Sequence, residues 1–369
     1  MRPTRAIIHT DNFRHNIRLV RNQVGKDKLV CAAIKADAYG HGANELCSVA
    51  IEEGVSYFAV ATAEEGVSLR KSNLTIQILL LTLTSTEEFP EIISNGIQPF
   101  VADRAYIKGL NKEAKNQGRE VEVHLHIDSG MGRIGCKPEE AAELAKLIES
   151  LDSVQLKGVS THFACADEPS KSMTNDQINV FKRAVDSIKE IGINPGIVHA
   201  SNSAAIVDFP DSWMDMVRPG IILYGYYPGH AQERALAVRP VMELRTEVVF
   251  IKKVAAGQPL SYGATYITDK ETYIATLPIG YGDGYNRLLS SKGVIIINGK
   301  QYTVAGRVCM DQLLIDLGPE TDVDLYDEAI LFGEGPVAQT AEDLADMLDT
   351  ISYEITCNVN KRVPRVYLP

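Results

Sequence analysis

No stretch of the 369-residue chain holds about 18 consecutive apolar residues, which excludes a helix that crosses a membrane. Cysteine is sparse and badly spaced for structural use. Cys31, Cys47, Cys136, Cys165, Cys309 and Cys357 never form a Cys-x-x-Cys pair, so reduced thiols are expected rather than a zinc knuckle or a disulfide frame. Positive charge is also short. There are 37 Lys and Arg against 48 Asp and Glu, a formal net charge of -11, with no basic block, which argues against a nucleic-acid partner. The N-terminus, Met1-Arg2-Pro3-Thr4-Arg5, lacks the apolar core of a secretory signal, and the expected compartment is the cytoplasm. Internal repeats and low-complexity tracts are missing as well.

What remains is ordinary globular material, 45% hydrophobic and 23% charged, long enough for two domains. Short apolar runs alternate with amphipathic stretches as far as about Gly229. Leu29 to Lys35, Ser56 to Ala61, Ile76 to Thr82, Gln98 to Ala102, Glu122 to Asp128, Leu156 to His162, Ile197 to Ser201 and Val217 to Tyr224 read as eight strands. Helical spacing appears between them, as in Ala141 to Ile148 and Asn175 to Ile191. Eight such units fit an α/β fold of the (β/α)8 TIM-barrel type. Beyond Arg239 the pattern is β-rich: Val241 to Val254, Thr272 to Thr276, Val294 to Ile297, Gln301 to Val304, Leu313 to Asp316 and Glu328 to Phe332, with Asn298-Gly299 as a hairpin turn. The expected division is a barrel over 1–232 and a C-terminal mostly-β domain over 233–369.

Chemistry enters with Lys35, which ends an apolar run and is followed by the Gly-punctuated Ala36-Asp37-Ala38-Tyr39-Gly40-His41-Gly42. Desolvation disfavours an ammonium, so a lysine at a cleft can hold an aldehyde as a Schiff base, although most strand-end lysines only lift their charge into water. In Glu122-Val123-His124-Leu125-His126-Ile127-Asp128 the alternation places the polar side chains on one face, which should line the barrel. The turn after it ends in Arg133, a fork for a carboxylate at the end where barrel active sites lie. His124 and His126 could instead ligate a metal, but no acidic partners stand at clear ligand spacing. His162 ends the next strand. Asn202 or Ser203 can cap a helix whose amides could meet an anion, and Arg218-Pro219-Gly220-Ile221 follows one unit later, where barrels commonly bind phosphate. A Schiff-base lysine together with a phosphate cradle is what pyridoxal 5'-phosphate requires.

These segments resemble those of the alanine racemases, a pyridoxal-phosphate family, over nearly the whole chain. The similar stretches are Ala33 to Gly42, Asp128 to Arg133, Thr161-His162-Phe163, Asn202-Ser203-Ala204, Arg218-Pro219-Gly220, Ser261 to Tyr266, Pro278 to Tyr285, Gly306 to Asp311 and Tyr353-Glu354. The resemblance implies interconversion of L- and D-alanine for peptidoglycan, with a serine/alanine racemase of broader scope as the alternative. It implies that Lys35 forms the aldimine and acts as base on one face of the substrate while Tyr262 acts on the other, as a two-base racemisation requires. A free phenol titrates near 10, so Tyr262 needs help, which the resemblance assigns to His162 with Arg218 behind it. Arg218 is also implied to face the pyridine nitrogen. The cofactor phosphate falls to Tyr39, Ser203, the backbone of Gly220 and Ile221, and Tyr353, with Asn202 also among the cofactor-binding residues. The substrate carboxylate falls to Arg133 and the amide of Met310. Asp167, Tyr266, Tyr281, Arg287 and Arg307 match the corridor leading to the site. Tyr262 and Met310 are implied to reach the partner's barrel, which makes the active site a property of a homodimer.

One departure stands out. Where many members carry a lysine, often carbamylated, two residues before the Asp128 position, this chain has His126. Histidine forms no such stable carbamate, so Arg133 lacks that anion, and chloride near Arg133 and His126 is the expected substitute. Two other classes compete with the enzyme: a pyridoxal-phosphate carrier, which would have no use for Tyr262, and a metal hydrolase built on His124 and His126.

Overall fold

The alternating pattern resolves into strands and helices in a computed structural model that describes residues 2–72, 74–229, 232, 234–333 and 338–369. Strand β1 (Arg5–His9) precedes eight parallel strands: β2 (Leu29–Ala33), β3 (Tyr57–Val60), β4 (Gln77–Leu80), β5 (Ile97–Val101), β6 (Val121–His126), β7 (Val154–Ser160), β8 (Ile197–His199) and β9 (Met216–Val217). β2 through β9 pair in sequence order, and β2 closes on β9 through Leu29↔Met216 and Val30↔Val217. This is the expected TIM-type barrel. The helices Ala141–Glu149 and Ser172–Glu190 lie where the spacing predicts them; the first buries Leu144, Ala145 and Ile148, one helical face.

One expectation needs correction. The last barrel strand is not Val217 to Tyr224 but two residues long, and Ile221–Tyr224 is a 3-10 turn. Pro219 has no N–H to continue a ladder, and Gly220 turns the chain with φ -119° and ψ -103°. The apolar run is buried without being a strand, and the Tyr224 hydroxyl donates to the Ala33 carbonyl at 2.8 Å.

By packing, the described chain forms two units. One is the barrel, residues 14–38 and 43–238; the other holds 1–13, 39–42 and 239–369. The division expected at 232/233 falls on Glu233, which lies outside the described residues. The second unit contains β10 (Met242–Glu247), β11 (Phe250–Val254), β12 (Pro259–Leu260), β13 (Tyr266–Ile267), β14 (Thr272–Leu277), β15 (Val294–Ile297), β16 (Lys300–Thr303), β17 (Leu313–Gly318), β18 (Glu328–Phe332) and β19 (Arg365–Leu368). Its main sheet runs β16-β15-β18-β10-β1-β19, so the N-terminal strand sits between two C-terminal ones. The run Val241 to Val254 is two strands, β10 and β11, in different sheets. Asn298 and Gly299, with φ of 50° and 73°, join β15 to β16 as the two-residue turn the sequence predicts.

Candidate active site

Lys35 stands half-buried just beyond β2, at the C-terminal end of the barrel. The residues after it are unusual. Ala36, Asp37, Ala38 and Tyr39 all take positive φ, 52° to 54°, a left-handed turn without glycine. Each such residue costs roughly 1–2 kcal/mol, so the surroundings must impose the conformation. Within the barrel the Glu65 carboxylate does part of this, accepting the amides of Ala36 and Ala61 at 2.7 Å each. Ala38 donates to the Ile34 carbonyl at 2.8 Å, and Asp37 accepts the Ala43 amide at 2.8 Å.

Arg218, at the end of β9, is buried and touches no carboxylate among the described residues. One Nη donates to His199 Nδ1 at 2.7 Å; the other reaches the carbonyls of Thr161 and Ala200 at 2.8 and 3.0 Å and His162 Nδ1 at 3.3 Å. Burial pulls its pKa down to about 10, which leaves it charged at neutral pH. Burial, followed by the charges of Arg218, Arg133 and Lys35, holds His162 well below its ordinary value. The fields of the lysine and both arginines therefore converge on one neutral imidazole.

Asn202 caps the helix Ser203–Asp208 through the Ala205 amide, as read. Ser203 does something the sequence does not reveal: its hydroxyl oxygen accepts the Gly220 amide at 2.8 Å, tying the loops after β8 and β9 together. That leaves the hydroxyl proton available to an anion. The Ile221 amide beside it heads a 3-10 turn, where no intrahelical acceptor exists. These donors, the lysine and an arginine with no acid contact among the described residues suit a phosphorylated aldehyde. Arg133 is exposed on a turn pinned by Asp128, whose carboxylate accepts the Gly130 and Gly132 amides at 2.9 and 3.0 Å. His126 is buried, stacked on Phe100 at 4.4 Å and bonded to Ser160 at 2.8 Å, with a pKa pushed down to about 3 by burial. Asp167 lies in the loop after β7, half-buried.

The second unit carries the remaining residues. Tyr39 and Tyr353 pack with ring centroids 5.7 Å apart. Tyr262 is 69% exposed on a turn whose preceding Ser261 has φ 60° and ψ -178°, a region costly for anything but glycine. The Ser261 hydroxyl holds this strain by donating to the Arg307 carbonyl at 2.7 Å. Met310 is exposed on a neighbouring loop. The Gly280–Gly284 turn presses on that loop, with Tyr281 N donating to the Cys309 carbonyl at 3.0 Å and Gly282 N to the Met310 carbonyl at 2.9 Å. A Cβ on Gly280 would stand 2.1 Å from the Cys309 oxygen, so only glycine fits. Fully buried Asp283 anchors this turn between Arg2 and Arg362, at 2.8 and 2.7 Å. Tyr281 and Arg287 are exposed, whereas the Tyr266 hydroxyl is committed to Asp316 at 2.6 Å.

Two family models match the chain: the alanine racemase N-terminal domain over residues 8–228 and the alanine racemase C-terminal domain over 241–367. The chain belongs to the alanine racemase family. The alanine racemase of Treponema denticola is 46% identical over 100% of this chain and 99% of its own. Among solved structures, the alanine racemase of Clostridium difficile 630 superposes with a TM-score of 0.96 at 43% identity, covering 100% of this chain and 96% of its own. The cycloserine complex of that enzyme gives 0.94 at 42% identity, again over 100% and 96%.

Within this racemase fold, the sequence leaves several supporting residues unread. Glu65 has a signal, since Thr62-Ala63-Glu64-Glu65 is a capping box at the start of a helix, although its reach to Ala36 has none. Thr340 and Asp343 similarly mark the unread helix Ala341–Leu348. Gln98, His199 and Asp283 acquire their roles only through packing.

Proposed function

We infer that this chain is an alanine racemase that uses pyridoxal 5'-phosphate and works through two bases, Lys35 and Tyr262. The observation that carries the reading is Arg218, a buried cation bonded to His162 and His199 with no acid in contact among the described residues, on the same barrel end as Lys35. When bound, the cofactor supplies an electron sink for the pair left at the substrate α-carbon. Ser203 and the Gly220–Ile221 segment would hold its phosphate, with Asn202 supporting the cap and Tyr39 and Tyr353 closing the cradle. Arg218, which can only donate, would face its ring nitrogen. Arg133 and the Met310 amide would orient the alanine carboxylate, and Asp167, Tyr266, Tyr281, Arg287 and Arg307 would line the way in.

Lys35 Nζ removes or returns the α-proton on one face, and the Tyr262 oxygen does so on the other. Arg218 donates to His162 Nδ1, so the neutral imidazole carries its proton on Nε2 and presents a donor that can stabilise a phenolate. Tyr262→Phe should reduce racemisation by at least about a thousandfold, in the range for a lost acid–base group. Exchange of the α-proton with solvent deuterium should survive from one enantiomer only. Equal loss from both would overturn the assignment of opposite faces.

His126, neutral through burial, cannot supply Arg133 with an anion, and chloride takes that place in this reading. The product D-alanine would serve peptidoglycan synthesis in the cytoplasm, so deletion of the gene should create a D-alanine requirement unless a second racemase is present.

A further inference from the structure

A hydrogen-bonded chain runs through the barrel core from Arg218 to Glu122. Arg218 donates to His199 Nδ1 at 2.7 Å, His199 Nε2 meets His124 Nδ1 at 2.9 Å, and His124 Nε2 meets Gln98 Oε1 at 3.1 Å. Gln98 Nε2 then donates to Glu122 and, at 2.7 Å, to Gln77 Oε1. Arginine has no acceptor and a carboxylate no donor, so both ends are fixed in sense. A nitrogen that accepts from Arg218 must be bare, so His199 carries its proton on Nε2. His124 must then accept on Nδ1, carry its proton on Nε2 and donate to the Gln98 oxygen. No link is left ambiguous.

We propose that Gln98, His124 and Glu122 are positioning residues for Arg218, joined with His199 in a relay whose bonds all point from the guanidinium to the Glu122 carboxylate. Arg218 is a buried cation without a carboxylate beside it among the described residues, an arrangement that is costly unless its donors are aimed and its charge is answered. Aligned bonds polarise one another in a low dielectric, so the relay supplies both. The packing is built around it: β6 and β7 shift register between Val123 and His124, and a Cβ on Gly158 would stand 2.5 Å from His124 Nδ1. At the far end Glu122 also accepts from Lys157 at 2.7 Å. His124 and His199 are fully buried and are held far below the ordinary histidine range by desolvation, consistent with neutral rings. No proton needs to move; the relay fixes tautomers and orientation.

The inference rests on the racemase reading only for what Arg218 does in the reaction. Nitrogen-15 correlation spectra of the histidine-labelled holoenzyme should show His124 and His199 protonated on Nε2 and bare on Nδ1. Either ring protonated on Nδ1 overturns the relay. Gln98→Leu should shift the nitrogen resonances of both rings and lower kcat about tenfold, with KM for alanine within about twofold, since Arg218 is retained but less well aimed. Should that variant not fold, Glu122→Gln, at a half-exposed position, provides the same reading: shifted His124 resonances and kcat reduced about threefold. Unchanged spectra and kcat in a folded variant overturn the proposal. The spectra report on the protein whether or not it racemises alanine, so correct tautomers without racemase activity would refute the function and leave the relay standing.

Discussion

Four neutral histidines lie around the core and mouth of the barrel: His124, His126, His162 and His199. Burial lowers their proton affinity, and their charge states couple stability to pH. Take His124 and His126, whose pKa values are pushed down to about 3. In the unfolded chain they titrate near 6.5, so between about 3 and 6.5 the unfolded state binds more protons and stability rises with pH. Above about 6.5 neither state is charged, and no penalty remains. Each group then contributes a slope of about 1.4 kcal/mol per pH unit at pH 5, or ~2.7 for the pair. Denaturant unfolding at pH 7 and pH 5 should show the loss, and His126→Gln should reduce the slope by about 1.4 kcal/mol per unit. An unaltered slope in that variant would mean that His126 is charged, or solvated, in the fold. At this scale the sequence is informative about which residue types are present and uninformative about their state. His126 can be read as not being a lysine, but its neutral state comes from burial in the folded barrel, followed by the charges of Arg218 and Arg133.

The elements that carry the two proposed bases are strained where they do so. The turn from Ala36 to Tyr39 holds four non-glycine residues in the left-handed region, and Ser261 occupies a conformation suited to glycine next to Tyr262. Local propensity would not select either turn, so a reading based on propensity finds the lysine and the tyrosine without the geometry that aims them. Glu65 is the clearest support, since its carboxylate takes two amides while serving its own helix cap. Glu65→Ala should cost about 1–2 kcal/mol, the range for a lost cap, since the Ala36 amide it releases is open to water. It should also weaken cofactor retention on dialysis, because Lys35 leads directly into the released turn. A variant with the parent's melting temperature and cofactor content would show that the turn holds without Glu65. The last barrel strand makes the same point about propensity. Val217 to Tyr224 is apolar enough for a strand, yet Pro219 and Gly220 end the ladder, and the following 3-10 turn buries the same residues by another route.

At the scale of the whole molecule, the reading assigns Lys35 and Tyr262 of one site to different copies of the chain. Tyr262 and Met310 are exposed on the second unit, 69% and 52%, as large apolar side chains meant for another surface would be. Mixing inactive Lys35→Ala and Tyr262→Phe proteins under subunit exchange tests this. Random pairing makes half of the dimers mixed, each with one intact site of two, so activity should recover to about a quarter of the parent's. No recovery would place both bases in the same chain. The sequence by itself determined the barrel, the β-rich remainder and the family, and it named the residues proposed for the site, because periodicity, turn chemistry and short motifs are local and survive in one dimension. It did not determine that β1 lies between β10 and β19, that Ser203 ties two loops through the Gly220 amide, or that Arg218 is answered by imidazoles instead of an acid. Those depend on side chains far apart in the chain meeting in a low-dielectric core, where each polar group must find its partner, and only the tertiary structure decides which partner that is.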